Sequence, residues 1–186
     1  FLEVEAQEID GVLVVKDMKP VEAPPYHPST MAWDIEVYNK GFFPNPKEAK
    51  HPIIIISAFD GEEFLSADDD EKKVISEFAE FLGSKQPDLL VGYNCDQFDF
   101  PYLLKRAKIN GISLPLGLDK RGVKKKRGGI SWTHQITGTH DIDLFHFLFR
   151  LYTLSGRDLG SAMKAILGVG GMDFDARLVW NYWDEN

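Results

Sequence analysis

Two acidic motifs, well separated along the chain, carry the residue types best suited to chemistry: Asp34-Ile35-Glu36 within residues 31–38, and Asp99 within residues 92–102. Each puts carboxylates where a strand or a strand end presents them together, which is how a site for hard divalent cations is built. Cleavage of a phosphodiester by two cations needs one carboxylate to bridge them, others to hold each separately, and an oriented water as nucleophile. Asp34, facing a cleft from the middle of a strand, is the natural bridge. Glu36, two residues on, can hold one cation and orient or deprotonate the water, and Asp99 can bind the second cation directly or through water. Asn94 and Phe98 then face the same cleft, the first as a hydrogen-bond donor and the second as a stacking surface for a terminal base.

Those roles require particular elements. Met31, Trp33, Ile35 and Val37 alternate with Ala32, Asp34, Glu36 and Tyr38, a period of two that makes a strand and puts Asp34 and Glu36 on one face. The pair is then separated by roughly 7 Å along the strand. Ile53-Ile54-Ile55-Ile56 reads as a strand buried on both faces, and Glu63-Phe64-Leu65 as a short strand pairing back after a turn at Gly61. Asp68-Asp69-Asp70 caps a helix on which Val74, Ile75, Phe78, Phe81 and Leu82 recur at helical spacing and which Gly83 closes. Leu89-Leu90-Val91 is a buried strand running into the second acidic motif. Pro101 suits the first turn of a helix continuing to Asn110-Gly111, with basic residues in its last turns, so Asp99 sits where strand gives way to helix. Residues 114–139 suggest a hairpin or a mobile loop, and residues 141–150, 158–167 and 173–183 read as three helices, the second ended by Gly168. Alternating strands and helices predict an α/β fold with a mixed sheet flanked by helices.

At 186 residues the chain fits one ordinary domain, and its 44% hydrophobic content is enough for a core. The first 20 residues read as short strands, and Pro20, Pro24, Pro25 and Pro28 as an extended connector, so a boundary is expected near residue 29. No apolar run has the length of a membrane span and no signal peptide is visible, so no membrane partner is expected. The chain starts without Met and stops just after an apolar, helix-like segment, so both ends read as cuts from something longer. Cys95 is the single cysteine, which rules out an internal disulfide and suits a reducing cytoplasm. A net charge of −8 argues against a surface coated in basic residues to grip a duplex. It does not argue against a nuclease, because cation-binding carboxylates are acidic by necessity and the cations reverse the field in the cleft. Lys120, Arg121, Lys124, Lys125, Lys126 and Arg127 form a basic patch, with Lys105, Arg106 and Lys108 upstream; it can touch phosphates, or be a solvated loop.

An Asp-x-Glu pair on a strand also fits a solvated sheet edge, and Phe98 and Phe100 taken singly fit a core. The joint occurrence of both motifs, with a buried strand and a helix between them, favours the site. Asp141 and Asp143 lie near a predicted helix start and read as caps. His134, His140 and His146 lack a zinc pattern with cysteine, and Cys95 has no nearby base to make it a nucleophile.

Asp34-Ile35-Glu36 resembles the first exonuclease motif of family B DNA polymerases, and residues 93–102 (Tyr-Asn-Cys-Asp-Gln-Phe-Asp-Phe-Pro-Tyr) resemble the second, most like the archaeal members. Residues 52–57, 140–146 and 151–154 add to the resemblance, which runs continuously from about residue 30 to 168. It implies a ribonuclease-H-like mixed sheet in residues 30–186, with residues 1–29 the tail of an amino-terminal domain. It also implies a proofreading 3′-5′ exonuclease that uses two magnesium or manganese ions to remove the 3′-terminal nucleotide of single-stranded or frayed DNA. In that likeness Asp34, Glu36 and Asp99 are the metal-binding and catalytic carboxylates, while Asn94, Phe98 and Tyr93 hold the single-stranded 3′ end. The remaining polymerase domains, in the parent chain or a second subunit, are the implied protein partners.

One departure stands out: the family's third motif places a tyrosine four residues before a fourth carboxylate, and no such pair exists here. Tyr152 has Gly156 at that offset, Tyr182 has Asn186, and Asp184 has Trp180 four residues before it. The third motif is therefore expected beyond Asn186, with slow or absent cleavage by the chain alone. Two rivals remain: a non-catalytic DNA-binding or scaffolding module of an inactivated paralogue, and an independent nuclease acting on RNA.

Overall fold

The computed structural model describes residues 2–22, 25–128, 131–170 and 175–185. Strands β1 (Leu2–Ile9) and β2 (Val12–Pro20) pair antiparallel across Asp10-Gly11, whose φ angles of 52° and 77° are the left-handed pair a two-residue hairpin turn requires. This two-stranded sheet is separate from the main one and its residues are exposed along both faces.

The main sheet is built from β3 (Thr30–Val37), β4 (Ile53–Phe59), β5 (Glu63–Ala67), β6 (Leu89–Gly92) and β9 (His140–Asp143) in the order β5-β4-β3-β6-β9. The first three are joined antiparallel, whereas β6 lies parallel to both β3 and β9, so the sheet is mixed as expected. The parallel pairings require crossovers. The first carries helix α1 (Glu71–Lys85), and the second carries α2 (Asp99–Asn110) and the hairpin β7 (Lys124–Gly128) with β8 (Ser131–Gln135). Helices α3 (Leu144–Leu151), α4 (Leu159–Leu167) and α5 (Val179–Glu185) follow.

The alternation in β3 is realised in full. Met31, Trp33, Ile35 and Val37 are each at most 4% exposed and belong to one core with Val74, Ile75 and Phe78 of α1 and Phe100 and Leu103 of α2. The Trp33 ring stacks on Phe78 at 5.3 Å and tilts against Phe100 at 4.8 Å, pinning both helices to this face of the strand. Asp34 and Glu36 therefore point the other way. Ile53, Ile54 and Ile56 of β4 are buried, matching a strand covered on both sides.

A buried ionic cluster ties the elements together. The Glu71 carboxylate accepts from the Ile53 amide at 2.8 Å, from Arg106 Nε at 2.7 Å and from Asn110 Nδ2 at 2.6 Å, and pairs again with Arg106 Nη2. It thus joins α1, β4 and α2 through four donors, which is what makes a buried carboxylate tolerable.

Three sequence expectations are corrected. Helix α1 does not stop at Gly83; it runs to Lys85, and Gln86 takes the left-handed capping position at φ 45°, its amide donating to the Leu82 carbonyl. Residues 140–143 form a strand instead of starting a helix, because each pairs in parallel register with β6. Asp143 is nevertheless the cap of α3, accepting from the Phe145 amide. In the last segment, a 3₁₀ turn at Ala176–Leu178 precedes α5, so the helix expected over 173–183 begins later; Asp173 lies outside the described residues.

Candidate metal centre

The site forms where the carboxyl end of β3 meets the turn between β6 and α2. That turn is tight: the Gln97 and Phe98 amides donate to the Asn94 carbonyl at 3.1 and 3.0 Å, and the Phe100 amide to the Cys95 carbonyl at 3.0 Å. Asn94 has φ 65°, a left-handed conformation that asparagine tolerates better than most residues. Gly92 enters the turn because nothing larger fits; a Cβ there would stand 2.8 Å from Cys95 Cβ. Asp99 follows as the first residue of α2, and Pro101 lies in the first turn, where its missing amide costs no hydrogen bond.

The result is a cleft of about 290 Å³ lined by Asp34, Glu36, Asn94, Phe98 and Asp99, with Tyr93 at its edge. All six residues singled out from the sequence therefore share one cavity. Sequence reasoning missed Asn39, Phe43 and Pro44, which the connection from β3 to β4 brings to the cleft lining. Phe43 is 74% exposed. The exposed pair Phe42-Phe43, set between Gly41 and Pro44, is the signal that was available. A second cavity of about 350 Å³, lined by Trp33, Ser57, Phe59, Leu144 and Leu159, adjoins the first through Asp34 and Tyr93. A further cavity, about 420 Å³, lies among Leu82, Gln86, Pro115, Lys120 and Thr137 and touches none of the three carboxylates.

Electrostatics mark the first cleft as strained without a counter-charge. Burial raises Glu36 to about 7, and the Asp34 charge adds to it. Asp34, although one edge is open to the cleft, is raised to about 6 by the protein around it. Asp99 is held well above the ordinary carboxylate range, first by burial and then by the Asp34 charge; it is 3% exposed and its Oδ1 has no hydrogen-bond partner. Three carboxylates whose ionisation burial opposes, two of them also facing the Asp34 charge and one with an unpartnered buried oxygen, suit divalent cations, which take hard oxygen ligands. Among the described residues no three His, Cys, Asp or Glu side chains are gathered tightly enough to form a metal cage. The carboxylates converge on one cleft without closing around a point.

The other candidates are placed elsewhere. Asp143 is engaged by backbone amides, and Asp141 lies on β9, its carboxyl raised to about 8 by burial and by Asp96 and Asp143. His134 is buried; its backbone amide donates to Asp96 Oδ1 at 2.8 Å, and its ring Nδ1 is also 2.8 Å from that oxygen. Burial, with the nearby aspartates, pushes the Cys95 thiol up, as expected of an unreactive cysteine. Lys124, Lys125, Lys126 and Arg127 lie exposed along β7. Asp184 accepts from the Tyr38 hydroxyl at 3.0 and 3.1 Å, beside β3 but outside the cleft lining, so it does not join the three carboxylates. No helix among the described residues is long and apolar enough to cross a membrane.

Comparison with known proteins agrees with this architecture. The family model described as "DNA polymerase family B, exonuclease domain" matches residues 59–161, more than half the chain, including the turn with Asn94, Phe98 and Asp99. A DNA polymerase of Methanocaldococcus jannaschii is 33% identical over 183 residues, covering 92% of this chain and 11% of its own length. DNA polymerase 2 of Aeropyrum pernix is 37% identical over 163 residues, covering 83% of this chain and 20% of its own. The chain thus spans about a tenth to a fifth of these relatives. Among solved structures, the family B DNA polymerase of Pyrobaculum calidifontis superimposes with a TM-score of 0.79 at 26% identity, over 98% of this chain and 25% of that one.

Proposed function

The chain belongs to DNA polymerase family B, in its exonuclease domain, and from that premise we propose that it is a proofreading 3′-5′ exonuclease unit removing the terminal nucleotide of single-stranded or frayed DNA. The observation that carries this reading is the convergence of Asp34 and Glu36, from one face of β3, and buried Asp99, from the start of α2, on a cleft that also contains Asn94 and Phe98.

Asp34, Glu36 and Asp99 are the groups that would hold two magnesium or manganese ions, with Asp34 central. When bound, such ions lower the pKa of water and offset charge on the phosphodiester. Asp34 and Asp99, close enough for Asp34 to raise Asp99, would offer their carboxylate oxygens to the ions from the same cleft. Glu36, with an affinity for protons near neutrality, is suited to take the proton of the attacking water on its carboxylate. Asn94 offers an amide donor to the terminal nucleotide, and Tyr93 stands where the two adjoining cavities meet. Phe98 and Phe43 both line the cleft and offer aromatic faces there, and base stacking of that kind tolerates any base. The partners would be the 3′ end of a DNA strand and the remaining domains of a polymerase.

The test is incubation of the chain with manganese and a labelled DNA single strand, beside a matched RNA strand and the Asp34→Ala variant. Slow stepwise loss of 3′ nucleotides from DNA, abolished in the variant, is expected. Cleavage that survives Asp34→Ala, or a preference for RNA, would overturn the assignment.

A further inference from the structure

Asp143 has a place in the fold that capping α3 does not account for. Its Oδ1 accepts from the Phe145 amide at 2.9 Å, as a cap should, and also from the Asn94 amide at 2.8 Å. Its Oδ2 accepts from the Asp96 amide at 3.1 Å. One carboxylate at the end of β9 thus ties down two amides of the neighbouring β6–α2 turn, with charge-assisted bonds stronger than neutral ones. The turn needs such a hold, since Asn94 is left-handed without being glycine, a conformation that persists only where the surroundings over-determine it. From Asn94 the constraint passes on: its carbonyl takes the Gln97 and Phe98 amides, and Phe98 and Asp99 then enter the cleft at the start of α2. Asp96, fixed by its amide to Asp143, has its carboxylate occupied by the backbone and ring of His134, leaving Asp143 as the side chain beneath the turn.

We propose that Asp143 is a positioning residue that holds the 94–99 turn, and through it Asn94, Phe98 and Asp99, in the arrangement the cleft uses. It touches neither strand nor cation; it acts through the backbone of the turn. The proposal rests on the exonuclease reading for its functional half, while its structural half stands by itself.

The test uses Asp143→Ala and Asp143→Asn in the full chain, with Asp70→Ala as a control that removes the corresponding cap from distant α1. Amide hydrogen exchange is read residue by residue. Asp143→Ala should speed exchange at Asn94 and Asp96 by roughly tenfold or more, because each loses a bond to a charged acceptor. Asp143→Asn, which keeps one acceptor oxygen, should fall between the two, and Asp70→Ala should leave both amides unchanged. A residue that merely caps α3 would change exchange at Phe145 alone; unchanged Asn94 and Asp96 amides in both Asp143 variants would overturn the proposal. In parallel, a fluorescein-labelled oligothymidylate with calcium, which occupies oxygen sites, should bind roughly tenfold more weakly to Asp143→Ala. Equal affinity would overturn the functional half. Failure of the unaltered chain to bind the oligothymidylate counts against the exonuclease reading alone, and exchange still decides the clamp.

Discussion

Replacing Glu36 with Gln should make the metal-free protein more stable at pH 8 while removing any cleavage that depends on this carboxylate. Burial and the Asp34 charge raise Glu36 from its ordinary 4.5 to about 7. Each unit corresponds to about 1.4 kcal/mol of preference for the protonated form in the fold. The full shift sets a ceiling near 3 kcal/mol, and solvent in the open cleft reduces it to about 1–2 kcal/mol. The direction follows from which state holds the proton. Between pH 4.5 and 7 the unfolded chain has released it and the folded chain has not, so stability falls with rising pH and stays at the penalised level above 7. Gln carries no such proton and has no such slope. Urea denaturation in EDTA at pH 4.5 and pH 8, followed by tryptophan fluorescence, gives the difference between variant and unaltered chain at each pH. That difference should grow by about 1–2 kcal/mol at the higher pH. An equal difference at both values would refute the reasoning, since it would reflect packing alone. Adding manganese should reverse the order, because ligand binding stabilises only the form that binds it.

Two further outcomes follow from the elements around the site. Glu71→Ala strips Arg106 of its buried carboxylate partner and leaves the Ile53 amide without an acceptor, while Asn110 keeps only the Arg106 carbonyl, so urea denaturation should register a loss of about 3–5 kcal/mol. Gly92→Ala forces a Cβ to within 2.8 Å of Cys95 Cβ and 3.0 Å of its Sγ; a thermal melt should show destabilisation of about 1–3 kcal/mol, with exchange at the 93–98 turn rising more than in α1.

The parts of this fold that could be read from the sequence are those governed by local pattern. The two-residue alternation of β3 separated core from cleft correctly, and Pro101 with Asp99 located the start of α2. What was misread depended on partners far along the chain. His140 to Asp143 form a strand only because β6 offers a parallel edge, and apolar Ile142, Leu144 and Phe145 suit a helix as well as a strand. Gly83 looked like a stop, yet mid-helix glycine is tolerated at a cost of about 1 kcal/mol, and the turn actually closes on Gln86. Phe43 joined the cleft through a loop whose path no periodicity encodes. The Asp143 clamp was hidden for a similar reason: a cap is visible locally, while its second and third donors are 47 and 49 residues away.

The order of strands also has a consequence in time. The hairpin of β4 and β5 closes over a few residues, whereas β3 pairs with β6 across Thr30 and Leu89, and β6 with β9 across Leu89 and His140. Pairings with long intervening loops are the slow ones. Asp34 and Asp99 meet only after the first of these crossovers has docked, and Asp143 reaches the turn only after the second. Asp34 and Glu36 face each other's charge from the outset, two residues apart on β3, whereas the repulsion of Asp99 by Asp34 is met only as α2 packs onto the core. Charge at Asp99 therefore weighs chiefly on how fast the finished protein comes apart, and little on how fast the chain finds its fold.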